Sequence, residues 1–272
     1  MATQDEISMQ SVEGTRTWPL RRVGLKVQDL SACLDYYMRL GFSVVRDERD
    51  KDAEGTIGLG TGSQEILSLR VLHGGRPRPP HTAGLYHFAI LVPDEVELGS
   101  FLQNCLEHGI HIDGASDHLV SQAIYLSDPE GNGIEVYADR PREQWHWKGG
   151  HVDMATLPVD APALLKQARL FDGFSSQTSL GHMHLNVGDL DRSMAFYQDL
   201  GMELTADVYH QARFLSWDGY HHHLGINLWA GRNASRLEPD VYGLDFFELS
   251  RPGLKPGTFE DPDGVKVVIT KS

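Results

Sequence analysis

From Val23 the chain alternates apolar with polar positions, then switches to apolar residues at helical spacing, and the same switch returns 160 positions later at Met183. Alternation of this kind fits a half-buried strand, and the later spacing (Leu34, Tyr37, Met38; Met194, Tyr197, Leu200) fits an amphipathic helix. Both stretches read L-x-V-x-D-L, then a Tyr seven residues on, then L-G. The Asp of the D-L step is placed to cap the helix, and Gly41 or Gly201 to end it. A second repeat lies between and after them. GLYHFAILVPD from Gly84 matches GLDFFELSRPG from Gly243, and DPEGNGIEVYA from Asp128 matches DPDGVKVVITK from Asp261. Asp-Pro-x-Gly is turn chemistry leading into a strand.

The chain therefore reads as four βαβββ modules in the order odd, even, odd, even, at roughly 20–72, 84–139, 180–230 and 240–272. The fourth is truncated: its first strand and its DPDG turn lie too close for the helix and middle strands of the second module. The fold class expected is α+β, with tandem βαβββ modules forming two half-barrel domains. Domain 1 spans 20–139 (modules one and two), a linker spans 140–179, and domain 2 spans 180–272 (module three and the incomplete fourth). The linker predicts a short helix near Ala161 to Ala168. Its Trp145, His146 and Trp147 read as an aromatic anchor for the linker, with a lid as the alternative.

Length and composition leave that picture standing. At 272 residues the chain can bury a substantial core, and 40% hydrophobic with 23% charged residues is a globular profile. A formal net charge of −14 argues against a nucleic-acid partner, which needs a basic face. No apolar run approaches the ~20 residues that span a bilayer, and the polar N-terminus shows no secretory h-region. A cytoplasmic protein is expected, with its two cysteines, Cys33 and Cys105, buried in helices as structural thiols.

The candidate chemistry sits on strands. In GLYHFAI, Phe88, Ile90 and Val92 form an apolar face that suits helix packing, which turns His87 to the concave side. Glu135 lies in a strand otherwise built for burial, where a carboxylate is costly unless paired or metal-bound. His182, His184 and Asn186 share a face opposite Met183, Leu185 and Val187. In YHHHLGINLW, alternation sets His221, His223, Gly225 and Asn227 against His222, Leu224 and Ile226, so His223 is expected in the cavity. One strand His alone is more often a hydrogen-bonded structural residue. Three such residues at equivalent positions of duplicated modules point instead to a divalent-metal site of His87, Glu135 and His182.

The βαβββ repeats resemble the vicinal oxygen chelate superfamily of glyoxalases, bleomycin-resistance proteins and extradiol dioxygenases, over nearly the whole chain except 140–179. The stretch from His118 through Ile124, Tyr125, Asp128, Pro129 and Gly131 to Glu135 is similar to the extradiol dioxygenase signature, departing from it at Ser116. The chain looks closest to two-domain catechol 2,3-dioxygenases. The resemblance implies His182, His87 and Glu135 as ligands of Fe(II), with Mn(II) as the alternative. It further implies His118 and Tyr125 beside the substrate oxygens and dioxygen, and His222 or His223 as base or acid. The implied reaction is extradiol (meta) ring cleavage of a catechol-like aromatic diol with O₂. Glyoxalase-type isomerase or lyase chemistry and metal-free small-molecule binding are the alternatives, and a homodimer is allowed. Module four has Phe246 in place of the His and Val268 in place of the Glu, while module one has Arg22 in place of the His. Pairing one with two and three with four would leave no complete ligand set, so modules two and three are expected to share a barrel.

Overall fold

Asp29 and Asp189 begin their helices as the D-L step predicts, their carboxylates accepting from the backbone N–H of Ala32 and Arg192. Gly41 ends the first helix in the left-handed region at φ 110°, where a side chain would be strained. In the computed structural model, which describes residues 18–51, 55–208 and 210–272, both odd modules are complete. The N-terminal stretch read above as lacking a secretory h-region lies outside the described residues. Module one comprises β1 (Leu20–Val27), α1 (Leu30–Leu40), β2 (Ser43–Asp47), β3 (Ile57–Thr61) and β4 (Gln64–Val71). Module two comprises β5 (Gly84–Val92), α2 (Glu95–Glu107), β6 (Gly114–Asp117), β7 (Ser121–Ser127) and β8 (Gly133–Asp139).

The linker contains a two-stranded ribbon, β9 (Trp147–Lys148) with β10 (His151–Val152), and the helix α3 (Ala161–Gln167). Module three comprises β11 (Ser179–Asn186), α4 (Leu190–Asp199), β12 (Glu203–Val208), β13 (Ala212–Ser216) and β14 (Leu224–Asn227). Module four keeps β15 (Gly243–Ser250), β16 (Gly257–Glu260) and β17 (Lys266–Thr270). It lacks the helix, as its length requires, but retains one short middle strand: the six residues between β15 and β16 suffice for a turn and not for a helix. The whole is α+β, a glyoxalase-like arrangement of curled sheets with helices packed outside.

The eight-stranded sheet runs β12-β13-β14-β11-β5-β8-β7-β6, so modules three and two share it. The seven-stranded sheet runs β16-β17-β15-β1-β4-β3-β2 and joins modules four and one. The pairing is crossed within one chain. A second set of contacts ties the modules in sequence order. Tyr37 on α1 donates to Asp128 Oδ2 at 2.9 Å, and Tyr197 on α4 donates to Asp261 Oδ2 at 2.8 Å. Each Asp accepts two turn N–H groups with its other oxygen, Glu130 and Asn132 on Asp128, Asp263 and Val265 on Asp261. The repeated Tyr and the repeated Asp-Pro-x-Gly are thus two halves of one buried joint.

The main core cluster is drawn from both sheets and all four helices, and Val120, Trp145, Val152 and Tyr220 form a smaller one beside it. Phe88, Ile90 and Val92 are fully buried in it, as their face predicts, and Cys33 and Cys105 are buried free thiols. Trp145 is anchored: its ring packs on Tyr220 and His221 and its Nε1 donates to the Arg140 carbonyl, while Trp147 stays half-exposed. Among the described residues no helix is long and apolar enough to cross a membrane.

Candidate metal centre

Three neighbouring strands bring the candidate ligands together through one alanine. Ala89 on β5 pairs antiparallel with His182 on β11 and parallel with Glu135 on β8. His87, two positions earlier on β5, shares Ala89's face. Because Ala89 ends at its methyl group, nothing fills the space over it. The three long side chains converge there, each at most 6% exposed.

The convergence is tight. His87 Nε2 stands 3.0 Å and His182 Nε2 3.2 Å from the same oxygen, Glu135 Oε2, and the two nitrogens are 3.3 Å apart. Three donors on one octahedral face, with bonds of about 2.1 Å, stand about 3 Å from one another. Without an ion, both imidazoles must turn toward a single carboxylate oxygen and face each other. A divalent cation would instead take a lone pair from each, so the donor set fits the metal. Burial alone would raise the Glu135 carboxyl, but the two imidazoles outweigh it and hold it well below the usual range. Burial is also the main reason His182 falls to about 4, so its neutral, metal-binding form dominates near neutrality.

The group opens into a cavity of about 690 Å³, also lined by Tyr86, His118, Tyr125, His184, Phe214, His222 and Trp229. His118 Nδ1 donates to the Ala155 carbonyl at 2.7 Å, which leaves Nε2 to accept the Tyr125 hydroxyl at 2.5 Å. Burial, then the charge of Glu135, pushes the Tyr125 phenol far up, so it remains an O–H donor. Ala155 belongs to the linker, whose residues Met154 to Thr156 wall one side of the cavity.

His222, and not His223, reaches this cavity. Its ring lies 4.2 Å from that of His182, centroid to centroid. His223 packs instead against Trp18, Trp217 and Tyr220, with Nδ1 accepting the Trp217 N–H. The expectation for His223 carried strand alternation back to His221. The chain bends at His221 and His223 and β14 begins only at Leu224, so the side-chain sequence shifts by one.

His184 and Tyr86 also line the cavity without a role assigned from sequence. His184 is 3% exposed with no partner on Nε2 among the described residues, and the H-x-H alternation of β11 was its signal. Its ring sits where a Cβ on Gly225 would come within 2.8 Å, so that glycine makes room for it. Tyr86 breaks the simple alternation. A bulge opposite the His184/Leu185 step gives β5 one extra residue, which turns both Tyr86 and His87 toward the cavity. Tyr86 and Trp229 meet edge to face at 4.8 Å, both half-exposed at the mouth.

Comparison with known proteins bears on the family and the fold. The model of the family described as "Glyoxalase/Bleomycin resistance protein/Dioxygenase superfamily" matches residues 20–136 and 179–237. A catechol-2,3-dioxygenase of Bacillus subtilis (strain 168) is 42% identical over 235 residues, 84% of this chain and 81% of the relative. Among solved structures, a putative dioxygenase from Bacillus subtilis superposes with TM-score 0.62 at 13% identity, covering 94% of this chain and 85% of that one. Glyoxalase I from Zea mays superposes with TM-score 0.55 at 20% identity, covering 92% and 91%. At those identities the two structures speak for the fold alone.

Proposed function

The chain belongs to the glyoxalase/bleomycin resistance protein/dioxygenase superfamily, and from that membership we propose that it is an Fe(II)-dependent extradiol dioxygenase opening the ring of a catechol-like diol with O₂. The observation that carries this reading is the His87–Glu135–His182 face, buried at the end of a cavity that also holds His118, Tyr125 and His222. A two-histidine, one-carboxylate set suits Fe(II), which when bound would supply the redox chemistry that couples a ring diol to dioxygen. Mn(II) has the same ligand preferences and is the alternative ion.

The side chains supply the rest. Tyr86, Phe214 and Trp229 offer aromatic edges and faces to a planar ring entering the cavity. Tyr125 keeps its phenol proton because of burial, and by turning its O–H away from His118 Nε2 it can donate toward an anionic substrate oxygen. His222, held neutral by burial, can accept a phenol proton within reach of the ligand group.

Loading the protein anaerobically with Fe(II), then adding catechol and air, should yield the yellow ring-opened product. Bound metal without colour would point to isomerase chemistry. Failure to take up metal would leave a binding protein.

A further inference from the structure

His222 reaches the cavity at the end of a hydrogen-bonded chain that begins at the end of a neighbouring strand. Asp139, the last residue of β8, accepts from His221 Nε2 at 2.8 Å. His221 Nδ1 lies 2.7 Å from His222 Nδ1. A carboxylate can only accept, so the His221 proton sits on Nε2. When His221 carries that one proton, its Nδ1 is a lone pair, and His222 Nδ1 donates into it across the 2.7 Å contact. By elimination, His222 Nε2 bears no proton, and among the described residues it has no hydrogen-bond partner.

We propose that Asp139 and His221 are positioning residues that lock His222 as its Nδ1–H tautomer and aim a bare Nε2 lone pair into the cavity. Neither lines the cavity itself, and the hydrogen-bonded path into it runs through His222. The chain is built to stay put. His221 is fully buried, stacked at 4.0 Å on Tyr220 and flanked at 5.0 Å by Trp145. The Tyr220 hydroxyl donates to the same Asp139 oxygen at 3.1 Å and meets the Tyr137 hydroxyl at 2.8 Å. Asp139 closes module two and His221 precedes β14 of module three, so the relay exists only because those modules share a sheet. The anchored Trp145 thereby gains a purpose: it covers the relay.

The role as base rests on the dioxygenase reading, whereas the tautomer does not, and the two are measured separately. Nitrogen-15 NMR of the metal-free protein near neutral pH, with the histidine rings labelled, reports which nitrogen of His222 carries hydrogen. The expected spectrum shows a protonated Nδ1 and an unprotonated Nε2. In His221→Phe, which keeps a flat ring against Tyr220 and Trp145, and in Asp139→Ala, the proton should leave Nδ1 for a mixture or for Nε2. Holoenzyme of either variant should retain its bound metal and KM within about threefold while kcat falls about tenfold or more, as loss of an aligned base requires. A wild-type His222 protonated on Nε2, or a tautomer unmoved by either substitution, overturns the proposal. A wild type showing the expected tautomer in a protein inert toward catechols would retire the dioxygenase reading and leave the relay standing.

Discussion

The two sheets of this molecule are built on one register and carry opposite interiors. In the larger, His182 pairs with Ala89, His184 with His87, and Ala89 with Glu135. In the smaller, Arg22 pairs with Glu248, Gly24 with Phe246, and Glu248 with Val268. The bulges correspond as well: each central pair of strands skips a residue at the same two steps. Where the larger sheet gathers two imidazoles and a carboxylate, the smaller holds Arg22, Phe246 and Val268. The Arg22 guanidinium lies over the Phe246 ring at 5.2 Å and bonds Glu248 at 2.9 Å and Glu65 at 2.8 Å. Arg46 takes the other Glu65 oxygen at 2.8 Å. One half thus neutralises its interior carboxylates with side-chain cations, and the other gathers a donor set that fits a metal ion. A duplicated frame preserves backbone geometry without preserving chemistry, since the side chains at three matching positions differ between the halves.

Six substitutions would break or sharpen that contrast, beginning with the largest effect. His87→Ala or Glu135→Ala should cost metal affinity more than the roughly 10- to 100-fold that loss of an outer partner costs. Metal analysis after dialysis checks this, and a variant keeping full occupancy would move the site elsewhere. In the smaller sheet, Arg22→Leu leaves Glu65 and Glu248 facing each other with less countercharge, each carboxylate under one-fifth exposed. A loss of about 3 kcal/mol in denaturant stability is expected, with metal content unchanged. Tyr37→Phe and Tyr197→Phe each delete a buried hydroxyl from an aspartate joint and should lower stability by about 2 kcal/mol alike. Clearly unequal losses would mean that the truncated fourth module has weakened its joint. Gly225→Ala presses on His184 and should cost only about 1 kcal/mol. Its metal affinity should hold, because His184 is not one of the three converging donors, and a marked drop would make His184 a fourth.

Much of the site was legible beforehand because its signals are local. A Glu in an otherwise apolar strand, or a His opposite an apolar face, states its problem within a few residues. The Asp-Pro-x-Gly turns and the Asp caps do the same. His222 was harder, since period-2 alternation holds only while the strand continues, and the bend before Leu224 is set by packing of Trp18, Tyr220 and Trp217 around His223. Tyr86 was missed for a related reason: a bulge is a property of two paired strands, and one strand's sequence does not display it.

By itself, then, the sequence determined the modules, the truncation of the fourth, and three side chains that burial would penalise without a partner. Missing ligands in modules one and four even required the crossed pairing. Only the tertiary structure decided that the crossing closes within one chain, that the three donor atoms meet at about 3 Å, and that Asp139 lies against His221. Those outcomes depend on contacts between residues scores of positions apart, which are fixed by how two sheets share one core and not by any local period.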